Sequence, residues 1–206
     1  MTKEGILFSL PFLILAGGFF VLFYKFLIFP FVYVSTVFFF LALIIMLFFR
    51  DPERRVPEGQ KLILAPADGR IIKCDNASGL ASLSIFLSIF DVHVTRSPVS
   101  GKVKSVNFHR GEFLTAYKNK AQRANQRNEI EIETTSGIVK MHQVAGAIAR
   151  RTIFRPEEGQ AVRAGERVGI IRFGSRVDLV MPEGSRLDVR LKQKVIAGET
   201  ILGRLP

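Results

Sequence analysis

Two long apolar runs at the start of this chain limit what it can fold into more than any other feature. From Ile6 to Phe23 there is no charge, and after Tyr24-Lys25 a second uncharged run extends from Phe26 to Phe49. As a helix, each run is long enough to cross a hydrocarbon core of roughly 30 Å. A cleaved leader has one shorter apolar stretch followed by small residues; here a second apolar run follows instead. Pro11 and Pro30 fall near the starts of the two runs, where a helix accepts proline. The sequence therefore predicts a membrane anchor over residues 1–50, made of two transmembrane helices (about 6–23 and 26–49) joined by a tight turn at Lys25. A re-entrant hairpin held in one leaflet is the weaker alternative.

Charge at the ends of the runs sets an orientation. Lys3 precedes the first, and Arg50, Arg54 and Arg55 follow the second. Basic flanks favour the cytoplasmic side, so the expected location is the cell membrane with everything after residue 50 facing the cytoplasm. A single cysteine, Cys74, cannot make an internal disulfide and agrees with a reducing compartment.

Residues 51–206 have another character. Short apolar runs such as Leu62-Ile63-Leu64, Leu83 to Phe90 and Val177 to Met181 are punctuated by turn residues such as Asp68-Gly69, Ser136-Gly137 and Glu183-Gly184. That spacing predicts a mainly β fold, a compact β-sandwich or rolled β domain. Alternation over Glu129-Ile130-Glu131-Ile132-Glu133 marks a strand with one wet face. Ala116 to Arg127 is polar, basic and without apolar period, and predicts a mobile surface loop. Val162-Arg163-Ala164-Gly165-Glu166-Arg167-Val168-Gly169 repeats weakly as Val195-Ile196-Ala197-Gly198-Glu199-Thr200-Ile201-Leu202-Gly203, with one residue inserted. With Ser97 to Val103, these fragments resemble the β-sandwich of biotinyl and lipoyl carrier domains, although no lysine sits on a carrier-type hairpin tip.

Residues able to do chemistry are few. His93, His109 and His142 show no close metal-ligand spacing, and one cysteine cannot complete a zinc cluster, so no metal is expected. His93 ends an apolar run, His142 lies within a strand pattern, and Asp68 in Pro66-Ala67-Asp68-Gly69 has the usual setting of a turn aspartate. Gly174-Ser175 stands between two strand-like runs. Glycine leaves its own carbonyl uncovered, so a serine held after it on a strained turn can attack its own chain. The plain reading of the pair is a tight turn.

In order along the chain, these residues resemble the phosphatidylserine decarboxylase proenzymes. The resemblance rests on Pro66-Ala67-Asp68-Gly69, on Asp91-x-His93 with Pro98 five residues on, on Arg127-Asn128-Glu129, and on Phe173-Gly174-Ser175-Arg176-Val177-Asp178. Phe48-Phe49-Arg50-Asp51-Pro52-Glu53-Arg54 after the anchor is similar to the short, membrane-bound branch of that family. The resemblance implies a proenzyme that cuts itself between Gly174 and Ser175. Ser175 would attack the Gly174 carbonyl, and elimination and hydrolysis would convert it to a pyruvoyl group. That covalent cofactor would take the substrate amine as a Schiff base and accept electrons as carbon dioxide leaves. The implied product is phosphatidylethanolamine, with His93 as general acid.

One position departs from the longer bacterial relatives. A second histidine, three residues after the one matching His93, completes their self-cleavage relay, and here it is Arg96. Arginine stays protonated and is a poor base. The base is then His93 or His142, or strain and Asp68 suffice; Arg96 could instead bind a lipid phosphate or carboxylate through its fork of donors. The formal net charge of +11 lies almost entirely after residue 50, which suits an anionic lipid surface better than nucleic acid in an anchored chain. Expected partners are the phospholipid substrate and the two cleavage fragments for each other, with a homo-oligomer left open. A membrane-anchored β-sandwich adaptor without chemistry is the alternative function.

Overall fold

The computed structural model describes residues 1–76, 80–111, 126–146, 152–171 and 175–206, and these divide into two compact units, Met1–Pro52 and Glu53–Pro206. Gly174 and most of the expected loop, residues 116–125, lie outside the described residues.

The first unit is a pair of helices, α1 (Lys3–Phe26) and α2 (Phe29–Phe48), both long and apolar enough to cross a membrane. Helix α1 starts at Thr2, whose hydroxyl oxygen accepts the Gly5 N–H, and Glu4 in its first turn suits the positive end of the helix dipole. The connection differs from the expected turn at Lys25. Lys25 belongs to the last turn of α1, where a cation meets the negative end of the dipole, and the chain reverses at Leu27 with φ of 55°. Pro11 also lies well inside α1 rather than at its start, whereas Pro30 does occupy the first turn of α2. Ser35 on α2 donates its hydroxyl to the Ala16 carbonyl of α1 at 2.7 Å. Phe19 stacks on Phe38 with ring centres 5.8 Å apart.

The second unit is mainly β. Its strands are β1 (Leu62–Leu64), β2 (Gly69–Asp75), β3 (Ser82–Leu87), β4 (Val94–Arg96), β5 (Gly101–His109), β6 (Arg127–Thr134) and β7 (Gly137–Val144). They continue as β8 (Thr152–Phe154), β9 (Ala161–Val162), β10 (Arg167–Ile171), β11 (Ser175–Val180), β12 (Arg186–Leu187), β13 (Lys194–Val195) and β14 (Ile201–Arg204). Among the described residues they form one large antiparallel sheet, β13-β2-β3-β11-β7-β6-β5-β9, and two small ones, β1-β14-β12 and β4-β10-β8. The apolar residues of one face of the large sheet, among them Ile85, Met141, Ile130 and Leu179, are completely buried in a single core. Alternation puts the charged residues of β6, Glu129 and Glu131, on the other face.

The two halves of the sequence repeat meet in space. Each ends a short strand with an Ala-Gly turn, Ala164-Gly165 and Ala197-Gly198, with φ of +77° and +74° at the glycines. A Cβ on Gly198 would lie 2.8 Å from Arg96 Cδ and one on Gly165 2.7 Å from Val56 Cγ2, so neither turn has room for a larger residue in that backbone conformation. Ala65 exchanges backbone hydrogen bonds with Gly198 and Thr200 just as Ser97 does with Gly165 and Glu166. The segments around Ala65 and Ser97 are in turn joined by Leu64 N–H to Pro98 O and Arg96 N–H to Pro66 O. This paired arrangement holds Asp68 and Arg96 at the junction of the two repeats.

Candidate active site

Ser175 is the first residue of β11, the strand at the centre of the large sheet. It lies opposite Leu87, the last residue of β3, and its side chain shares the core face with Val177 and Leu179. The residue is wholly buried, and among the described residues its Oγ has no hydrogen-bond partner. A buried hydroxyl without a partner carries a desolvation penalty of about 1–3 kcal/mol, which a structural serine would ordinarily avoid.

His93 reaches the same end of the sheet by topology. Strand β3 leaves the large sheet at Leu87 and, through residues 88–93, enters β4 of a small sheet. Strand β10 of that small sheet returns to β11 through residues 172–174, which lie outside the described residues. The described residues on either side of these connections are paired: Leu87 with Ser175, and the His93 carbonyl, which accepts the Ile171 N–H, with β10. His93 is 1 % exposed, and its Nδ1 lies 2.8 Å from the Asp91 carbonyl. A carbonyl only accepts, so Nδ1 carries the hydrogen and Nε2 is the basic nitrogen of the neutral ring.

Beside Ser175 on the core face runs a polar chain that sequence reasoning missed. Asn128 Nδ2 donates to Gln143 Oε1 at 3.1 Å, and Gln143 Nε2 donates to Thr95 Oγ1 at 2.7 Å. All three residues are buried, and they tie the large sheet to β4, two residues beyond His93. Arg127-Asn128-Glu129 marked the place in the sequence, but nothing there pointed to Gln143 or Thr95.

The opposite face of β11 holds a second buried set. Arg176 and Asp178, 1 % and 2 % exposed, form an ion pair through Arg176 Nε, and Arg176 Nη2 donates to Ser84 Oγ at 3.1 Å. In the register, Asp178 lies between Ser84 of β3 and His142 of β7, and His142 is followed by Glu129 of β6. Burial pushes the His142 imidazole below its ordinary value, while the Glu129 and Asp178 carboxylates pull it partly back. Burial would raise Glu129, but a hydrogen bond from Arg127 and the charges of His142, Arg127 and His109 outweigh it, and its carboxyl stays below the usual range. His142 thus faces away from Ser175 with the sheet between them, and this placement argues against the sequence-based suggestion that it activates the serine.

Asp68 and Arg96 both meet the Ala197-Gly198 turn, and both are otherwise engaged. Arg54 Nη2 donates to both Asp68 oxygens, at 3.0 and 2.9 Å, and the Ala197 N–H donates to Oδ1 at 2.8 Å. Arg96 is 5 % exposed; its Nη1 donates to the Gly165 carbonyl at 2.9 Å, and its Cδ packs on Gly198. A guanidinium held in the turn junction in this way is poorly placed as an open receptor for a lipid phosphate. Arg54, the last residue of the run after the anchor, is the partner that the sequence did not reveal for Asp68.

Two expectations follow from this geometry. Arg176→Ala strands the Asp178 carboxylate in the interior and should lower stability by about 3–5 kcal/mol, read as a fall in the denaturant midpoint. The double variant Arg176→Met/Asp178→Leu should recover most of it, and an equal loss in both variants would deny the ion pair this role. His142 gives a pH dependence. With its native value depressed, the unfolded chain binds the proton more readily. The stabilisation from neutral His142 is therefore full above its ordinary value of about 6.5 and is lost as pH falls from there through the native value. His142→Gln should show a shallower loss of melting temperature below that pH than the parent, and parallel curves would contradict it.

Comparison with known proteins points the same way. The sequence model described as phosphatidylserine decarboxylase matches residues 41–203. The chain is 43 % identical over 163 residues to the phosphatidylserine decarboxylase proenzyme of Chlorobaculum tepidum, covering 76 % of each chain. It is 44 % identical over 164 residues to that of Syntrophus aciditrophicus, covering 76 % of this chain and 77 % of the relative. Against the proenzyme of Azorhizobium caulinodans the identity is 45 % over 172 residues, covering 79 % and 74 %.

Proposed function

The chain belongs to the phosphatidylserine decarboxylase family, and on that premise we propose that it cuts itself at Gly174-Ser175 and then decarboxylates phosphatidylserine to phosphatidylethanolamine and carbon dioxide. The single observation that carries the assignment to Ser175 is its hydroxyl: fully buried, without a partner among the described residues, and at the first position of the central strand. This fits a serine kept for reaction rather than for structure.

Self-cleavage begins with Ser175 Oγ attacking the Gly174 carbonyl, which replaces the amide by an ester and frees the Ser175 nitrogen. Loss of the Cα hydrogen with departure of the Gly174 carboxylate leaves dehydroalanine, and water then converts this to a pyruvoyl group and ammonia. His93 is the base for this step, since Asp68 is held by Arg54 and His142 faces the other side of the sheet. The pyruvoyl group supplies an electrophilic ketone and electron sink without added pyridoxal phosphate. Around it, the chain's own residues position and protonate. Leu87 and Val177 exclude water, and the Asn128–Gln143–Thr95 chain fixes the distance between sheets. His93, its tautomer set by the Asp91 carbonyl, delivers a proton from Nε2 to the substrate carbon that has lost carbon dioxide.

Residues 1–50 act as the membrane anchor and 51–206 as the catalytic domain on the cytoplasmic side. The fragments remain together after the cut because β11 is paired on both edges, from Ser175↔Leu87 to Val180↔Ser82 and from Arg176↔Val144 to Val180↔Lys140. The back-to-back Ala-Gly turns support a relation of the β domain to biotinyl and lipoyl carriers in architecture alone. The function is tested by incubating the purified full chain with phosphatidylserine vesicles and, separately, with free serine. Carbon dioxide and phosphatidylethanolamine should appear from the lipid, and hydroxylamine, which captures ketones, should stop the reaction. Processed protein that releases no carbon dioxide from the lipid would overturn the substrate assignment.

A further inference from the structure

The turn that holds His93 in place also displays two large apolar side chains to solvent. Between β3 and His93 the chain turns at Ser88-Ile89-Phe90-Asp91, with Ile89 50 % and Phe90 79 % exposed. This exposure is built in. The Ser88 N–H and hydroxyl both donate to Asp91 Oδ2, at 2.8 and 2.7 Å, and the Asp91 N–H donates to the Ser88 carbonyl at 3.1 Å. A turn closed by three hydrogen bonds presents its two central residues in a fixed direction, at the hydration cost that exposed apolar surface carries in water.

Its position gives that exposure a meaning. Leu87, immediately before the turn, pairs with Ser175, and the Asp91 carbonyl at its end orients His93 Nδ1. The turn therefore stands at the rim of the site. Cations stand on the adjoining strands: exposed Arg70, whose Nη1 donates to the Lys192 carbonyl at 3.5 Å, pairs with Phe86 two residues before the turn, and exposed Lys194 pairs with Arg70 across β13–β2. Apolar side chains on a rigid tip with basic neighbours are the combination that settles into the headgroup region of an anionic bilayer.

We propose that the Ser88–Asp91 turn is a membrane-contacting tip, inserting Ile89 and Phe90 among the headgroups of an anionic phospholipid bilayer while Arg70 and Lys194 face the lipid phosphates. The proposal rests on the reading that the substrate is a bilayer lipid. A headgroup whose acyl chains stay in the membrane must reach a buried Ser175, and contact of the rim with the surface shortens that path. The apolar helices hold the chain at the membrane; the tip presents the site to the lipid.

The sequence contains no tryptophan, so Phe90→Trp in the full chain gives a single emission probe at the tip. In vesicles of phosphatidylglycerol and phosphatidylcholine, its emission should shift to the blue and be quenched by spin-labelled lipid, most strongly when the label is shallow. Emission as in water, with quenching by aqueous iodide alone, would overturn the proposal. So would a blue shift without lipid quenching, which would mean a protein contact. This readout needs no turnover and decides the question even if the chain fails to decarboxylate phosphatidylserine. In the active protein, Ile89→Ser/Phe90→Ser should lower turnover of vesicle phosphatidylserine about tenfold, since interfacial binding follows the apolar area inserted. Turnover of a short-chain, monomeric phosphatidylserine should stay within about twofold. An equal loss on both substrates would assign the turn to the architecture of the site and contradict the proposal.

Discussion

With Ser175→Ala, the chain should remain a single 23.1 kDa species and release no carbon dioxide from phosphatidylserine. Alanine fits the space at the start of β11 and removes only the Oγ, an atom with no partner among the described residues. The fold should therefore be retained or slightly stabilised, because deleting an unsatisfied buried hydroxyl removes its desolvation penalty. Loss of activity with an unchanged or raised melting temperature would separate a chemical role for the hydroxyl from a structural one. Decarboxylation by the uncut alanine variant would show that the electron sink does not come from residue 175.

The second large effect is expected at His93. Replacing a positioned proton donor typically lowers turnover by about 10²–10⁴-fold, and His93→Ala should fall in that range on any processed fraction. Because His93 is also the proposed base for self-cleavage, the variant should accumulate as precursor, with the cut slowed. His93→Asn retains a donor for the Asp91 carbonyl, its Nδ2 standing in for Nδ1, but cannot move a proton at the reacting end. It should fold like the parent and still fail in turnover. Full activity in either variant would remove His93 from both steps. By contrast His142→Gln, on the far face of the sheet, should process and turn over substrate near the parent rate.

How far the sequence reveals this structure depends on which interactions are local. The apolar helices are visible because about twenty uncharged residues in a row have few other solutions in water. The β class follows from short runs and turn residues, and the Ala-Gly repeat anticipates the paired turns at Gly165 and Gly198 because only glycine suits those backbone angles. Position within a helix was less legible: Pro11 is tolerated inside α1 and the reversal comes at Leu27, beyond Lys25. Sidedness was harder still. His142 and Gln143 are neighbours in sequence, and the pleat alone puts Gln143 on the Ser175 face and His142 on the other. The Arg54–Asp68 pair and the Arg176–Ser84 hydrogen bond join residues far apart in the chain. No periodicity in one strand predicts such partners. Both faces of β11 are buried, Arg176 and Asp178 included, so the strand shows no polar alternation that would mark a wet side.

The proposed activity depends on one covalent change at residue 175, which the intact mass of the purified full chain reads without any assay of turnover. Two fragments that separate only in denaturant are expected, residues 1–174 with an ordinary carboxyl end and residues 175–206. The smaller should begin with a ketone in place of an amine, resist stepwise N-terminal degradation and gain the mass of an added amine on reductive amination. A single unbroken chain with serine at 175, in protein that nonetheless decarboxylates phosphatidylserine, would contradict that change.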